Sequence, residues 1–278
     1  MSTQSDHSGF LPFHAPFHAP PEANPGLYSS ALNEIEAHSV PRLDYYGACR
    51  PAATPTGDFF EFTPLDGGQL VAAIGETDGP GTLVCTVKTA VKARFSGIMA
   101  GGPDALASAA VRLNRTLCNA AAEGALTTLL CACLDPVRRV LRYVSAGHEP
   151  ALVFRASHAR IQHLEPTGAV LGLFSRTVYR QRTLSLSPGD VLIAFTGGVA
   201  DAVDEQGHIS GEAAVAEALR ESPEDPLPLL VERVLDSVAR CQGESGQPAD
   251  RTVIAIRFSG SAHRPVEERS RALAFAAA

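Results

Sequence analysis

Apolar and polar positions follow two different rhythms along this chain, and the rhythm changes several times. After a strand beginning at Asp44 and a loop from Arg50-Pro51 to Gly57, Asp58-Phe59-Phe60-Glu61-Phe62 and Gln69 to Gly75 read as strands. Asp66-Gly67-Gly68 between them is a turn signal, so the pair predicts a β-hairpin. Thr82 to Met99 then takes up helical spacing, with Leu83, Val84, Val87, Val91, Phe95 and Ile98 on one face. Gly101-Gly102-Pro103 stops that helix, and Asp104 caps a second, on which Leu106, Ala110, Leu113 and Leu117 align. The middle of the chain breaks into short strand-like runs: Thr127 to Leu134, Val140 to Ser145, Ala151 to Phe154, Arg160 to Leu164, Thr177 to Leu186 and Val191 to Phe195. Asp135-Pro136, Gly147 and Pro188-Gly189 punctuate them. Two helical stretches separated by Pro223 to Pro228 follow Gly211, and Thr252 to Phe258 is a closing strand.

Two early helices, a run of strands, two late helices and a last strand do not alternate as βαβ units do. They predict an α+β fold, an antiparallel β-sandwich flanked by helices, in one domain over residues 44–259. A short helix is expected over Ser29 to Glu36, capped by Ser29 or Ser30 and anchored by Leu32 and Ile35, within a lead-in of residues 29–43. Residues 1–28 are rich in Pro, His and Ser, with Pro12-Phe13-His14-Ala15 followed by Pro16-Phe17-His18-Ala19, and read as a disordered tail. Residues 260–278 read as a second flexible tail; its small, apolar end, Ala272 to Ala278, resembles C-termini read by bacterial ATP-dependent proteases.

Composition narrows the functional classes. Apolar residues make up 45% of the chain, enough for a sizeable core, and with no Trp and two Met that core must be built from Ala, Val, Leu, Ile and Phe. A formal charge of −7 and the lack of an Arg/Lys stripe with interleaved aromatics argue against nucleic-acid binding. No apolar run approaches membrane-spanning length, and no basic segment followed by an apolar stretch opens the chain. The six cysteines form no CxxC pair, and Cys131 and Cys133, two apart on a strand, fit core packing better than a zinc site. Free cysteines and a soluble composition suit the cytoplasm.

Candidate chemistry lies in carboxylates beside glycines at strand ends, where backbone can approach closely and hard cations are held by oxygen. Three places fit: Thr56-Gly57-Asp58, Gly75-Glu76-Thr77-Asp78-Gly79, and Ala249-Asp250 before the final strand. Each taken singly is more simply a turn residue or a solvated charge. His148 is more simply a turn histidine hydrogen-bonded to backbone than a general acid, and Asp190 a turn residue capping a strand start.

Order and surroundings together resemble the SpoIIE-like branch of the metal-dependent PPM Ser/Thr phosphatases. The resemblance is carried by YGACRPAATPTGDFFEF (Tyr46 to Phe62), LVAAIGETDGPG (Leu70 to Gly81), CLDPVRRVLRYVSAGHEPALV (Cys133 to Val153), LSPGDVLIAFTGGVADAVDEQG (Leu186 to Gly207) and ADRTVIAIRF (Ala249 to Phe258). It implies the α-β-β-α sandwich and hydrolysis of phosphoserine by a water held between two Mn²⁺ or Mg²⁺ ions. By the same resemblance the metal and catalytic positions fall on Asp58 and Glu76, with the Thr77 backbone carbonyl as a further ligand. The remaining two acidic positions fall on Gly197 and Ala249, which offer no side-chain oxygen. Two dications bring about +4, and two carboxylates leave about +2 uncompensated. If the turn after Glu76 is extended, Asp78 projects to the same side and, with Asp58, offers a one-cation rescue.

Two functions therefore stand open. One is an Mn/Mg-dependent phosphoserine protein phosphatase with a reduced or rearranged site. The other is a pseudophosphatase that keeps the sandwich and binds a protein. The resemblance implies bacterial sigma-factor partner switching, with a STAS-domain anti-anti-sigma protein, phosphorylated or not, as the partner. An unrelated α/β hydrolase is disfavoured because neither a GxSxG elbow nor a Walker loop is present.

Overall fold

A computed structural model describes residues 35–54, 56–78, 81–95, 105–120, 126–204, 207–242 and 247–260. Among the described residues, eleven strands form two antiparallel sheets. β1 (Ile35–Val40), β2 (Leu43–Arg50), β11 (Arg251–Phe258), β10 (Val191–Phe195), β7 (Ala151–Arg155) and β8 (Arg160–Leu164) line up in that order in one sheet. β3 (Asp58–Leu65), β4 (Gln69–Thr77), β5 (Thr127–Asp135), β6 (Val140–Ala146) and β9 (Arg182–Ser185) make the other. Helices α1 (Gly81–Phe95) and α2 (Ala105–Ala120) cover the second sheet, while α4 (Gly211–Glu221) and α5 (Leu227–Gln242) cover the first. A four-residue helix, α3 (Gly197–Ala200), follows β10. The antiparallel sandwich flanked by helices is the architecture the sequence predicts.

Three apolar layers hold this stack together. Between the sheets pack Leu43, Phe60, Leu70, Ile74, Leu130, Leu192 and Ile254, among others. Alternate residues of the same strands, including Phe59, Val71, Cys131 and Cys133, face α1 and α2 through Val87, Leu106 and Leu113. Strands buried on both faces need continuous apolar runs, which is why Leu70 to Ile74 shows no alternation. On the far side, Leu230, Val234 and Val238 of α5 pack under Ala48, Ile193 and Val253.

Several boundaries depart from the sequence reading. The described part of the expected Ser29 to Glu36 helix is strand: Ile35 to Val40 pair with Leu43 to Ala48 around a tight turn at Pro41-Arg42. Backbone pairing to an existing sheet edge outweighs the weak local preference of so short a helix. The strand expected from Thr177 shrinks to Arg182–Ser185. Pro228 lies inside the first turn of α5 rather than in the preceding linker, where its missing N–H costs nothing. The tail 1–28, the cap Asp104 and the tail after Gly260 lie outside the described residues.

Candidate functional site

The two sheets meet at one end of the sandwich, and the acidic residues gather there. Asp58 opens β3 directly opposite Glu76, and Glu76 stands opposite Thr128 of β5. Gly57 makes this start possible. Its φ is +98°, and a Cβ there would lie 2.2 Å from the Thr77 carbonyl oxygen. Its own carbonyl accepts the Thr77 N–H at 3.0 Å, so the chain entering β3 is fastened across the end of β4.

Asp58 is held from the opposite sheet. Its Oδ2 accepts hydrogen bonds from the hydroxyls of Thr196, at 2.5 Å, and Thr252, at 2.7 Å. Thr196 follows β10 and Thr252 belongs to β11. Their backbones are also joined, the Thr196 N–H donating to the Thr252 carbonyl at 3.1 Å. Asp58 Oδ1 is buried with no hydrogen-bond partner among the described residues. Burial, reinforced by the Glu76 charge, raises the Asp58 pKa well above the ordinary carboxyl value, and the two threonine hydroxyls oppose that rise.

Glu76 is pushed up to about 7, chiefly by burial and then by the charge of Glu149. Asp201 and Asp250 add to that push, and a backbone hydrogen bond from Gly197 resists it. Gly197 begins α3 beside these carboxylates: a Cβ on it would lie 3.3 Å from Glu76 Oε2 and 3.6 Å from Asp201 Oδ2. A side-chain carboxylate at position 197 would thus enter the middle of the group.

The other sequence candidates are placed differently. The carboxylate of Asp250 is consumed locally, accepting the backbone N–H of Ala52 at Oδ1 and of Thr56 at Oδ2, both at 2.8 Å. Ala249 lies next to α3, its Cβ 3.3 Å from where a Cβ on Gly198 would stand. Thr77 is fully buried and pairs its hydroxyl with that of Thr127 at 3.1 Å. Asp78 is exposed beyond the end of β4, its N–H donating to the Leu126 carbonyl at 2.9 Å. His148 is 2% exposed, with Nδ1 and the Thr128 hydroxyl 3.2 Å apart. Burial pulls its pKa down to about 4, with the Phe195 backbone opposing. Asp190 is the expected turn residue, accepting from Ser187 N–H at 2.9 Å and Ala156 N–H at 3.0 Å.

Thr196, Thr252, Glu149 and Asp201 were not singled out from sequence. The two threonines stand inside the Thr196-Gly197-Gly198 and Ala249 to Thr252 segments, but their strand-end positions alone do not reveal a shared partner 138 and 194 residues away. Asp201 lies four residues after Gly197, one helical turn on, which was the available signal.

As a donor set this differs from the four-carboxylate arrangement implied for two dications. One oxygen of Asp58 is already bonded twice, Gly197 and Ala249 contribute none, and Asp250 is turned to the 52–56 loop. Among the described residues, no three His, Cys, Asp or Glu side chains converge closely enough to hold a metal ion.

The paired antiparallel sheets between helix layers, with acidic residues where the sheets meet, define the PPM (PP2C-type) phosphatase class. Comparison with known structures agrees. The RsbU and RsbW domains of Rv1364c from Mycobacterium tuberculosis superpose with a TM-score of 0.67 at 25% identity, over 81% of this chain and 63% of that one. The SiaA-PP2C domain of Pseudomonas aeruginosa gives 0.64 at 23% identity, over 77% and 85%. Within that class the chain belongs to the SpoIIE family, since the family model for Stage II sporulation protein E matches residues 66–259. It is 24% identical over 205 residues to the phosphoserine phosphatase RsbU of Bacillus subtilis (strain 168), covering 72% of this chain and 59% of RsbU. It therefore spans less than two thirds of that relative. Among the described residues no helix is long and apolar enough to cross a membrane.

Proposed function

We propose that this SpoIIE-family domain acts in bacterial sigma-factor regulation by binding a STAS-domain protein, with phosphoserine hydrolysis impaired or lost. The observation that carries the reading is the pair of threonine hydroxyls closed on Asp58 Oδ2 beside a glycine at position 197. One oxygen of this carboxylate already accepts from two neutral hydroxyls, and positions 197 and 249 add no carboxylate oxygen toward balancing two dications. The partner class is suggested by the family and by relatives described as a phosphoserine phosphatase and as RsbU and RsbW domains. The family's Mn²⁺ or Mg²⁺ chemistry is not carried over to this chain.

Isothermal titration with Mn²⁺, together with assays on p-nitrophenyl phosphate and a phosphorylated STAS-domain protein, tests this. The expected outcome is no stoichiometric Mn²⁺ uptake and no turnover above an Asp58→Ala control, alongside measurable binding of the STAS-domain protein. Mn²⁺-dependent turnover that disappears in Asp58→Ala would overturn the reading in favour of an active phosphatase with a rearranged site.

A further inference from the structure

The connection from β8 to β9 carries a surface that the acidic end of the sandwich does not use. Leu173, Phe174 and Val178 are 46%, 60% and 74% exposed, three large apolar side chains within six residues. Isolated exposed apolar residues are ordinary, but a cluster held in place is not. This one is held. Asn114 of α2, 1% exposed, donates from Nδ2 to the Phe174 carbonyl at 2.8 Å and accepts the Gly172 N–H at 2.9 Å. The Thr177 hydroxyl donates to the same Phe174 carbonyl at 2.9 Å. Leu171 exchanges backbone hydrogen bonds with Thr127 at one end, and Tyr179 is buried at the other. The chain thus spends a buried amide side chain on fixing a loop whose apolar side chains face water.

Charge supplies the second observation. Arg176, Arg180 and Arg182 are all exposed, and none forms an ion pair among the described residues. No Asp or Glu occurs between Glu165 and Asp190, although the whole chain carries −7. The ledge is therefore a local reversal of sign around an apolar centre. The same connection reaches the acidic end: Thr127, which pairs with Leu171, shares a hydrogen bond with Thr77, the neighbour of Glu76.

We propose that residues 173–182 are the docking ledge for an acidic protein, whose apolar socket takes Phe174 and whose carboxylates meet Arg176, Arg180 and Arg182. Preorganisation lowers the ordering cost of such an encounter, and exposed arginines around an aromatic anchor set its orientation. A symmetric pair of this chain would set three arginines against three, which disfavours a second copy. An anionic membrane surface would attract the ledge but repel the remainder of a chain with this net charge. The proposal rests on the binding-module reading above only in taking the partner to be a protein.

Amide chemical-shift mapping with two probes tests it: a STAS-domain protein, and a synthetic peptide of Asp and Glu with Leu and Phe at helical spacing. Phe174→Ser and the double variant Arg176→Glu/Arg180→Glu are compared with Val137→Ser, which alters an equally exposed apolar residue on another turn. Shifts centred on 171–182, with binding weakened about tenfold or more by the ledge variants and unchanged by Val137→Ser, are expected. Peptide binding there without STAS binding keeps the ledge and removes the STAS reading. STAS binding that maps elsewhere and ignores the ledge variants overturns the ledge alone. Silence from both probes, or sedimentation with anionic phosphatidylglycerol vesicles that depends on Phe174, overturns the acidic-protein assignment.

Discussion

Asp58 is satisfied by hydroxyls that belong to the other sheet, so each threonine is both a donor and a rivet between layers. Replacing Thr252 with Val keeps its shape and removes one of two hydrogen bonds to a half-buried carboxylate. The expected loss is about 1–3 kcal/mol of unfolding free energy, measured by urea denaturation in EDTA. Thr252→Ser should recover most of it, because the hydroxyl returns while the methyl does not. This pairing was not legible in the sequence. Asp58 was found because an acid beside a glycine at a strand start is a local signal, whereas its partners are distant in the chain and defined only by how two sheets stack.

Element-scale arrangement decides what α3 can do. The helix starts at Gly197, whose missing side chain leaves a gap between Glu76 and Asp201. Gly197→Asp would put a third carboxylate into that gap, where like charges at short range repel. The variant should melt lower than the parent in EDTA, and Mn²⁺ should raise its melting temperature while leaving the parent unmoved; thermal unfolding with and without Mn²⁺ reads this directly. At this scale the strands and long helices were legible, since Leu70 to Ile74 or Val87 to Val91 carry their period in the residues themselves. The lead-in was not. Helix-compatible residues at Ile35 and Glu36 were recruited as an edge strand by β2, and nothing local announces a sheet edge that needs covering.

For the molecule as a whole, half-buried Glu76 and buried His148 at the acidic end pull stability in opposite directions with pH. Glu76 rises from an ordinary 4.5 to about 7, so its contribution to stability is complete below 4.5 and is lost as pH rises through 7. His148 falls from 6.5 to about 4, so its contribution is complete above 6.5 and is lost as pH falls through 4. Between 4.5 and 6.5 the two oppose each other, and Asp58, whose pKa is also raised, acts on the side of Glu76. Relative to the parent, Glu76→Gln should gain stability with rising pH across that window and His148→Gln should lose it. Each slope has a ceiling of about 1.4 kcal/mol per pH unit, read from denaturation midpoints. The layered α-β-β-α plan was legible from the order of elements. The opposed pair was not, because burial, not residue type, sets both shifts.

Gly198 touches this end in another way. A Cβ on it would sit 1.9 Å from the Asp250 carbonyl oxygen, so even a methyl group there would wedge the start of β11 outward. Since Thr252 rides on that strand, its hydroxyl would swing away from Asp58 although no charge had been touched. The waist of the sandwich is kept narrow by one hydrogen atom where other residues carry a carbon, and its electrostatics are hostage to that width.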